Sequence, residues 1–381
     1  RALLQPHGRL RVHGPAPARP ATRTLERGRP LWEGFACPLT FGTLNTPPHR
    51  RAAAARAFGA VPFLNGGLFA RTALEDACGR PRCPDAPLAT LLLDTLARHR
   101  FTAREDAHAW SEAAVDPELL GRTFEALMHP ARRRGTGTFY TPAPLARTLV
   151  HDALAHALAR GDARARMRDD AHEGACDGAH DGACDDAHRG PRAGAHDLDT
   201  IRAALDGTAP PHDPRALRDR AARLRVLDPA CGSGALLVTA LDALTTLRLA
   251  CGDPRRPADV RREVLARSIF GVDVAPLAVW LTELRCWLAL VIDDDTADPH
   301  AVAALPNLDH HVRAGDALAA PPFGDRTDAI GLVTLRTRYA HATGPRKRAL
   351  ARQLDAHERR LALSHANARL AQSETVAGTA G

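Results

Sequence analysis

Lysine is almost absent from this chain. Lys347 is the only one in 381 residues, so arginine carries the basic side of a formal net charge of +7. A phosphate-loop nucleotidase needs a lysine between a glycine and a Ser or Thr. Lys347 stands instead in Gly344-Pro345-Arg346-Lys347-Arg348, which excludes that class. Schiff-base chemistry is left with one candidate amine and is disfavoured for the same reason. Long apolar runs are missing too: no stretch approaches the roughly 18 consecutive apolar residues that a membrane helix needs. The chain starts at Arg1, and no charged–apolar–small leader pattern follows. The expectation is a fragment of a longer cytoplasmic protein. Eight cysteines in a long chain without a leader point to free or metal-bound thiols rather than disulfides. Cys78 and Cys83 have no second pair at zinc spacing and read as loop cysteines.

What is present is ordinary globular material. The 45% apolar and 25% charged residues suit two or three folded domains and exclude wholesale disorder. The basic balance is compatible with a nucleic-acid partner. Residues 1–57, rich in Arg, Pro and Ala, read as a linker or the remnant of a preceding domain. Residues 58–160 read as a helical connector. Asn65-Gly66-Gly67 marks a turn between apolar runs, and short helices fit Leu88–His99 and Pro117–Met128. A longer helix is announced by Thr141-Pro142, a cap followed by a first-turn proline, and is expected to run to about Arg160. Residues 161–221 read as a low-complexity, disordered insertion. His172, Cys176, His180, Cys184 and His188 recur at every fourth position there. Helical spacing would put them on one face, as metal ligands could be. Glycines interrupt the repeat and apolar bulk is missing, so disorder is the better reading.

From residue 222 strands alternate with helices. Strands fit Leu224–Leu227, Ser268–Val272 and His311–Arg313. Helices fit Ala235–Leu249 and Ala258–Arg267, then a segment in which Leu277, Trp280, Leu281, Leu284 and Trp287 are spaced for burial. That order implies an α/β fold with a parallel sheet covered by helices. Ala329–Gln372 reads as two charged helices broken at Gly344-Pro345. The first strand stops at Asp228-Pro229-Ala230-Cys231-Gly232-Ser233-Gly234, the second at Asp273 and the third at Gly315-Asp316. In open parallel sheets ligands bind beyond the carboxyl ends of the strands. Gly232 and Gly234 let a ligand approach the backbone there. Asp228 disfavours a pyrophosphate. An acid ending the second strand can hold both ribose hydroxyls, and Asp316 is placed to meet an adenine edge. Three carboxylates at three successive strand ends describe a pocket for a nucleoside bearing a positive group, and S-adenosylmethionine fits.

These segments resemble a known family. Asp228–Gly234, Gly271-Val272-Asp273 and Gly315-Asp316-Ala317-Leu318 are similar to the three cofactor motifs of amino-methylating DNA methyltransferases. Gly137-Thr138-Phe139-Tyr140-Thr141-Pro142 resembles their Phe-Tyr-Thr-Pro motif. Leu64–Phe69 and Asp116–Gly121 with Phe124-Glu125 are similar to segments of type IIG (Eco57I-like) restriction-modification enzymes. The resemblance covers about residues 58–160 and 222–345. It implies a Rossmann-like class I S-adenosylmethionine-dependent sheet at 222–328, preceded by the helical connector and followed by a charged helical insertion at 329–381. It further implies adenine-N6 methylation of double-stranded DNA in a restriction-modification or phage-defence system, without membrane association. Residue by residue, Thr138, Phe139, Tyr140 and Pro142 would flank the methionine part of the cofactor. Asp228, Ala230, Gly232 and Gly234 would lie beneath it. Asp273 would hold the ribose and Val274 pack on the adenine. Asp316 would accept from the adenine amino group, with Ala317 beside it.

There are departures. The family's Asn/Asp-Pro-Pro-aromatic motif binds the flipped base's amino group. Here the nearest match is Ala320-Pro321-Pro322-Phe323, whose alanine cannot accept that hydrogen bond. The expectation is that the catalytic motif lies beyond Gly381 and that this piece alone is inactive. A Glu-x-Lys nuclease pair is absent, because Lys347 has no Glu two positions before it. Cys231 reads as a packing residue, since amino methylation needs no thiol nucleophile. Methylation of RNA or of a protein glutamine, and a non-catalytic remnant, remain alternatives at this level.

Overall fold

A small parallel sheet forms where strand and helix alternate. This computed structural model describes residues 3–5, 9–11, 18–65, 83–96, 141–173, 198–208, 213–291, 300–318 and 326–379. It also describes short stretches at 69, 77, 100–101, 114–115, 119, 121–123, 126, 294, 296 and 298. In chain order the principal elements are α1 (Ala18–Glu26), α2 (Ala143–Glu173), α3 (Leu198–Leu205), α4 (Pro214–Arg223), β1 (Val226–Asp228), α5 (Ala235–Ala250), α6 (Pro257–Ser268), β2 (Ile269–Asp273), α7 (Pro276–Val291), β3 (Val312–Ala314), α8 (Arg326–Ala340) and α9 (Gly344–Thr379). The strands lie in the order β1-β2-β3 in a parallel three-stranded sheet. Gly271 faces Val312 and Asp273 faces Ala314 across β2 and β3. The expected boundaries of strands and helices after residue 222 therefore hold to within a few residues.

The chain divides into two compact units. One comprises Thr141–Leu227 and Ala235–Phe270. Its core is built on α5, whose Leu237, Leu241, Leu244 and Leu247 are buried. Leu154 and Leu158 of α2, Ile201 and Leu205 of α3, Leu217 of α4 and Val264 of α6 are buried with them. Arg248, itself buried, donates to Asp253 at 3.0 Å and Glu263 at 2.9 Å. Hydrogen bonds from Arg255 and Arg248 hold the Asp253 carboxyl well below the usual carboxylate range.

Two expectations change here. The helix after Thr141-Pro142 does not stop near Arg160 but continues to Glu173. The segment read as a disordered insertion also supplies α3 and α4. Its apolar anchors, Ile201, Leu205 and Leu217, are few but helically spaced. The Asp213 side chain caps α4 by accepting from Ala216 N at 3.1 Å, with Pro214 in the first turn. The remainder of the His/Cys repeat, 174–197, lies outside the described residues.

The other unit comprises Arg1–Tyr140, Asp228–Gly234 and Gly271–Gly381. Its amino-terminal part is not merely a linker. Ala21, Leu31 and Phe35 are buried against Phe58, Leu88, Leu92 and Leu93. Phe35 and Phe58 meet edge to face at 5.8 Å, and Asp85 accepts from Leu31 N at 2.8 Å. Arg- and Pro-rich composition conceals these widely spaced anchors. The expected Leu88–His99 helix begins at Asp85 and winds into a wider π-helical turn at Thr90–Leu96. Most of Pro117–Met128 lies outside the described residues.

At the other end of this unit α8 and α9 pair around Leu332, Tyr339, Leu350, Leu354 and Leu361. They are held by a buried asparagine. Asn307, with no exposed surface, donates through Nδ2 to the carbonyls of Tyr339 and Ala342, each at 2.8 Å. Asn65 donates to Asn307 Oδ1 at 3.3 Å, and Leu64 O accepts from Leu305 N at 2.6 Å. The Leu64-Asn65 start of the first connector segment is thereby fixed to the loop before β3. Asn307→Ala would remove one of two donors from each carbonyl, since Tyr339 O also accepts from Ala342 N at 2.9 Å and Ala342 O from Asn65 Nδ2 at 3.4 Å. The expected loss is about 2 kcal/mol, read as a lower urea midpoint at unchanged m-value. An unchanged midpoint would contradict this account of the clasp.

Candidate functional site

β1 ends at Asp228, and the chain turns through residues 229–234 into α5. Two positions in the turn adopt the left-handed conformation that favours glycine, Gly232 at φ +53° and Gly234 at φ +88°. Their surroundings differ. Among the described residues a Cβ on Gly232 would meet nothing within 4 Å, so that backbone faces open space. A Cβ on Gly234 would stand 2.8 Å from Oγ1 and 2.9 Å from Cγ2 of Thr282. Close packing therefore demands glycine there as well as φ.

The turn is pinned from β2 and α7. Cys231 N donates to Val272 O at 2.9 Å, and Gly232 N to Asp273 Oδ2 at 2.9 Å. From α7, Thr282 Oγ1 donates to Gly232 O at 2.9 Å. Buried Arg285 donates through Nη1 to Ser233 O at 2.8 Å. Gly121, which ends the second connector segment, lies so close that a Cβ there would be 2.6 Å from Ser233 Oγ. Thr282, Arg285 and Gly121 escaped the sequence reading as supports of the turn. The available signal was two polar residues, Thr282 and Arg285, three apart on an otherwise apolar helix face.

The three strand-end carboxylates have different surroundings. Asp228 is half-buried and accepts from Ala230 N at 3.1 Å. Burial pushes its carboxyl up, the Ala230 hydrogen bond opposes that, and the charge of Asp273 pushes it further up. Two acids so placed favour a cationic neighbour. Asp273 does more structural work than expected. Besides taking Gly232 N, it caps the start of α7 by accepting from Ala275 N at 2.8 Å through Oδ1. Its main-chain oxygen accepts from Gly315 N at 2.9 Å, tying the ends of β2 and β3 together. Each carboxylate oxygen keeps a second lone pair for a ligand hydroxyl. Asp316 is exposed and, among the described residues, accepts from Leu318 N at 2.9 Å.

The turn from Asp228 to Gly234, Asp273 with Val274, and Asp316 with Ala317 thus share one edge of the sheet. Val274 is 53% exposed there, and Leu318 95%. Leu277 and Trp280 of α7 are also exposed, contrary to the burial expected from their spacing, whereas Leu281 and Trp287 are buried. Cys231 is buried, and burial pushes its thiol up to about 12. It is a protonated packing group at neutral pH. Pro142 belongs to the other unit, where its carbonyl accepts from Ala146 N at 3.0 Å in the first turn of α2. Thr138, Phe139 and Tyr140 lie outside the described residues, as does Ala320–Phe323.

In open α/β sheets ligands bind beyond the carboxyl ends of the strands, the edge that here carries the glycine turn and the three carboxylates. Residues 208–319, which contain all three strands, match the family model described as the MmeI DNA-methyltransferase domain. Over a longer stretch the chain is 24% identical, across 302 residues, to a protein of Methanocaldococcus jannaschii named "Putative type II restriction enzyme and methyltransferase". That alignment covers 75% of this chain but 24% of the relative, so the chain spans about a quarter of the relative's length. No solved structure matches. Among the described residues no helix is long and apolar enough to cross a membrane.

Proposed function

We propose that this chain carries the cofactor-binding part of a DNA methyltransferase of a restriction-modification or phage-defence system, with a Rossmann-like class I sheet. The intact protein transfers the sulfonium methyl of S-adenosylmethionine to the N6 amino group of adenine in double-stranded DNA. The observation that carries the reading is the shared edge of Asp228, Asp273 and Asp316 around a glycine turn open above Gly232. The methyltransferase match over residues 208–319 supports it.

The residues present fit the cofactor. Asp228 and Asp273 supply negative charge for its ammonium and sulfonium groups. Bare backbone at Gly232, with Ala230 and Gly234 beside it, lets the methionine chain lie on the turn. Asp273 takes the ribose hydroxyls on its free lone pairs. Val274, exposed, would cover one adenine face, and Asp316 with Ala317 would meet the amino edge. The family resemblance assigns Thr138, Phe139, Tyr140 and Pro142 to the methionine side of the cofactor. S-adenosylmethionine supplies an activated methyl, which the acceptor nitrogen takes as the sulfonium becomes a thioether and a proton leaves.

Asp273→Ala is a poor test, because that carboxylate also holds Gly232 N and caps α7. Asp316→Ala is cleaner, since the side chain is exposed and holds one N–H. Calorimetric titration with S-adenosylmethionine should show the variant binding roughly tenfold or more weakly, the cost of one hydrogen bond to a charged group. Circular dichroism should be unchanged. A folded chain that takes up no S-adenosylmethionine would sink the cofactor assignment. Recovery of N4-methylcytosine rather than N6-methyladenine from DNA treated with the intact protein would overturn the choice of base.

A further inference from the structure

The geometry points to a DNA-backbone docking ridge on α9, formed by Arg348, Arg352 and Arg359. Among the described residues, the buried face of α9 is the one that packs on α8. Leu350, Leu354 and Leu361 are buried against α8. At 3.6 residues per turn the three arginines lie on the opposite side, within about 40° of one another. All three are exposed, and Arg346 and Arg360 extend the basic surface around the same helix. From Arg348 to Arg359 the ridge is about 16 Å long.

What distinguishes this surface from an ordinary solvated face is where the acids are. Between Gly344 and Leu363 the only carboxylates are Asp355 and Glu358. Glu358 turns inward, where it accepts from Arg336 at 3.0 Å and from Arg313 and lies 3.7 Å from His310. Burial opposes its ionisation, but those partners hold its carboxyl well below the usual range, so its charge is already neutralised. Asp355 alone dilutes the outer face. The ridge is a row of like charges whose mutual repulsion an anionic partner would relieve. A duplex presents one phosphate charge per about 1.7 Å of axis, a continuous complement to such a row. Guanidinium forks match phosphate oxygens two at a time, which an all-arginine ridge exploits. Leu335, Ala356 and Leu363 line a shallow groove beside Arg359 and Arg360, an apolar surface suited to the sugar edges between phosphates.

The proposal takes its occupant, duplex DNA, from the function proposed above, but its test stands apart from the cofactor. Binding of this chain to a fluorescent duplex of arbitrary sequence is followed by anisotropy over a series of salt concentrations. The triple variant R348Q/R352Q/R359Q is compared with wild type and with R23Q/R27Q/R29Q, which removes the same charge from exposed arginines on and beside α1. The ridge variant should lose roughly 2–3 from the slope of log affinity against log salt, at about 0.9 per phosphate contact. The α1 variant should lose much less. Equal losses in both variants would make the effect one of net charge and overturn the ridge. So would a wild-type chain with no affinity for the duplex. A ridge-dependent slope in a chain that takes up no S-adenosylmethionine would leave the ridge standing and sink the cofactor assignment instead.

Discussion

Glu283→Gln should stabilise the protein at about pH 9 and change it little at about pH 5. Glu283 sits on the buried side of α7, and burial pushes its carboxyl up to about 8. The neighbouring charge of Asp309 raises it further, and Lys347 pulls it back. Tyr339 completes the surroundings: its hydroxyl donates to Asp309 at 2.5 Å, and Lys347 Nζ lies 5.8 Å from its ring centre. Burial lowers the Lys347 ammonium while Asp309 and Glu283 raise it. The sign follows from proton counts. Between the ordinary carboxylate value and about 8, the folded protein holds a proton that the unfolded chain has released. Stability from this group is therefore full below that window and falls as pH rises through it. Glutamine mimics the protonated acid and does not titrate, so the variant-minus-wild-type difference should grow across the window. It should reach about 2–4 kcal/mol, at 1.4 kcal/mol per unit with allowance for local relaxation. Urea midpoints measured at both ends of the window decide the matter. A difference independent of pH would mean that Glu283 is ionised throughout.

The same helix shows what the sequence discloses and what it withholds. Periodicity locates α7 and places Leu281 and Trp287 inward, correctly. It cannot tell whether anything covers the flank bearing Leu277 and Trp280, because helical spacing defines faces and not neighbours. Asp273 was legible as an acid at a strand end. Its second duty went unread, although it precedes Pro276 by three residues and a proline in the first turn marks a helix start. The three strands after residue 222 were readable because each is a short run stopped by Asp or Gly, the first two of them apolar. α3 and α4 were not, because Ile201, Leu205 and Leu217 are embedded in Asp- and Arg-rich sequence whose composition reads as solvated. Contacts between residues far apart in sequence, such as Gly121 with Ser233 or Asn65 with Asn307, leave no local trace. Asn65 was nonetheless visible in a turn signal, and Gly121 in a segment of family resemblance.

The glycine turn offers the sharpest separation of fold from ligand. Gly234→Ala meets two penalties. A residue with a Cβ in the left-handed region costs about 1–2 kcal/mol. The methyl group would also stand 2.8 Å from Thr282 Oγ1, a side chain fixed by its hydrogen bond to Gly232 O. Overpacking of that kind adds about 1–3 kcal/mol. The expected loss is about 3–4 kcal/mol in urea unfolding. Thr282→Ala introduced into the same chain removes the two closest contacts and leaves only the position-282 Cβ, at 3.1 Å, so the double variant should be more stable than the sum of the two single losses by about 1–2 kcal/mol. Strict additivity would mean that the turn shifts away from α7 and that the packing described here does not limit it. Gly232→Ala should behave in the opposite way. Its φ is also positive, so about 1 kcal/mol is lost, but its Cβ would enter open space. That space is where the proposed cofactor lies. The variant should therefore fold and fail to bind S-adenosylmethionine, whereas Gly234→Ala with Thr282→Ala should keep much of its affinity. A Gly232→Ala chain that binds as wild type does would place the ligand elsewhere, because among the described residues nothing occupies the volume that the new methyl group would take.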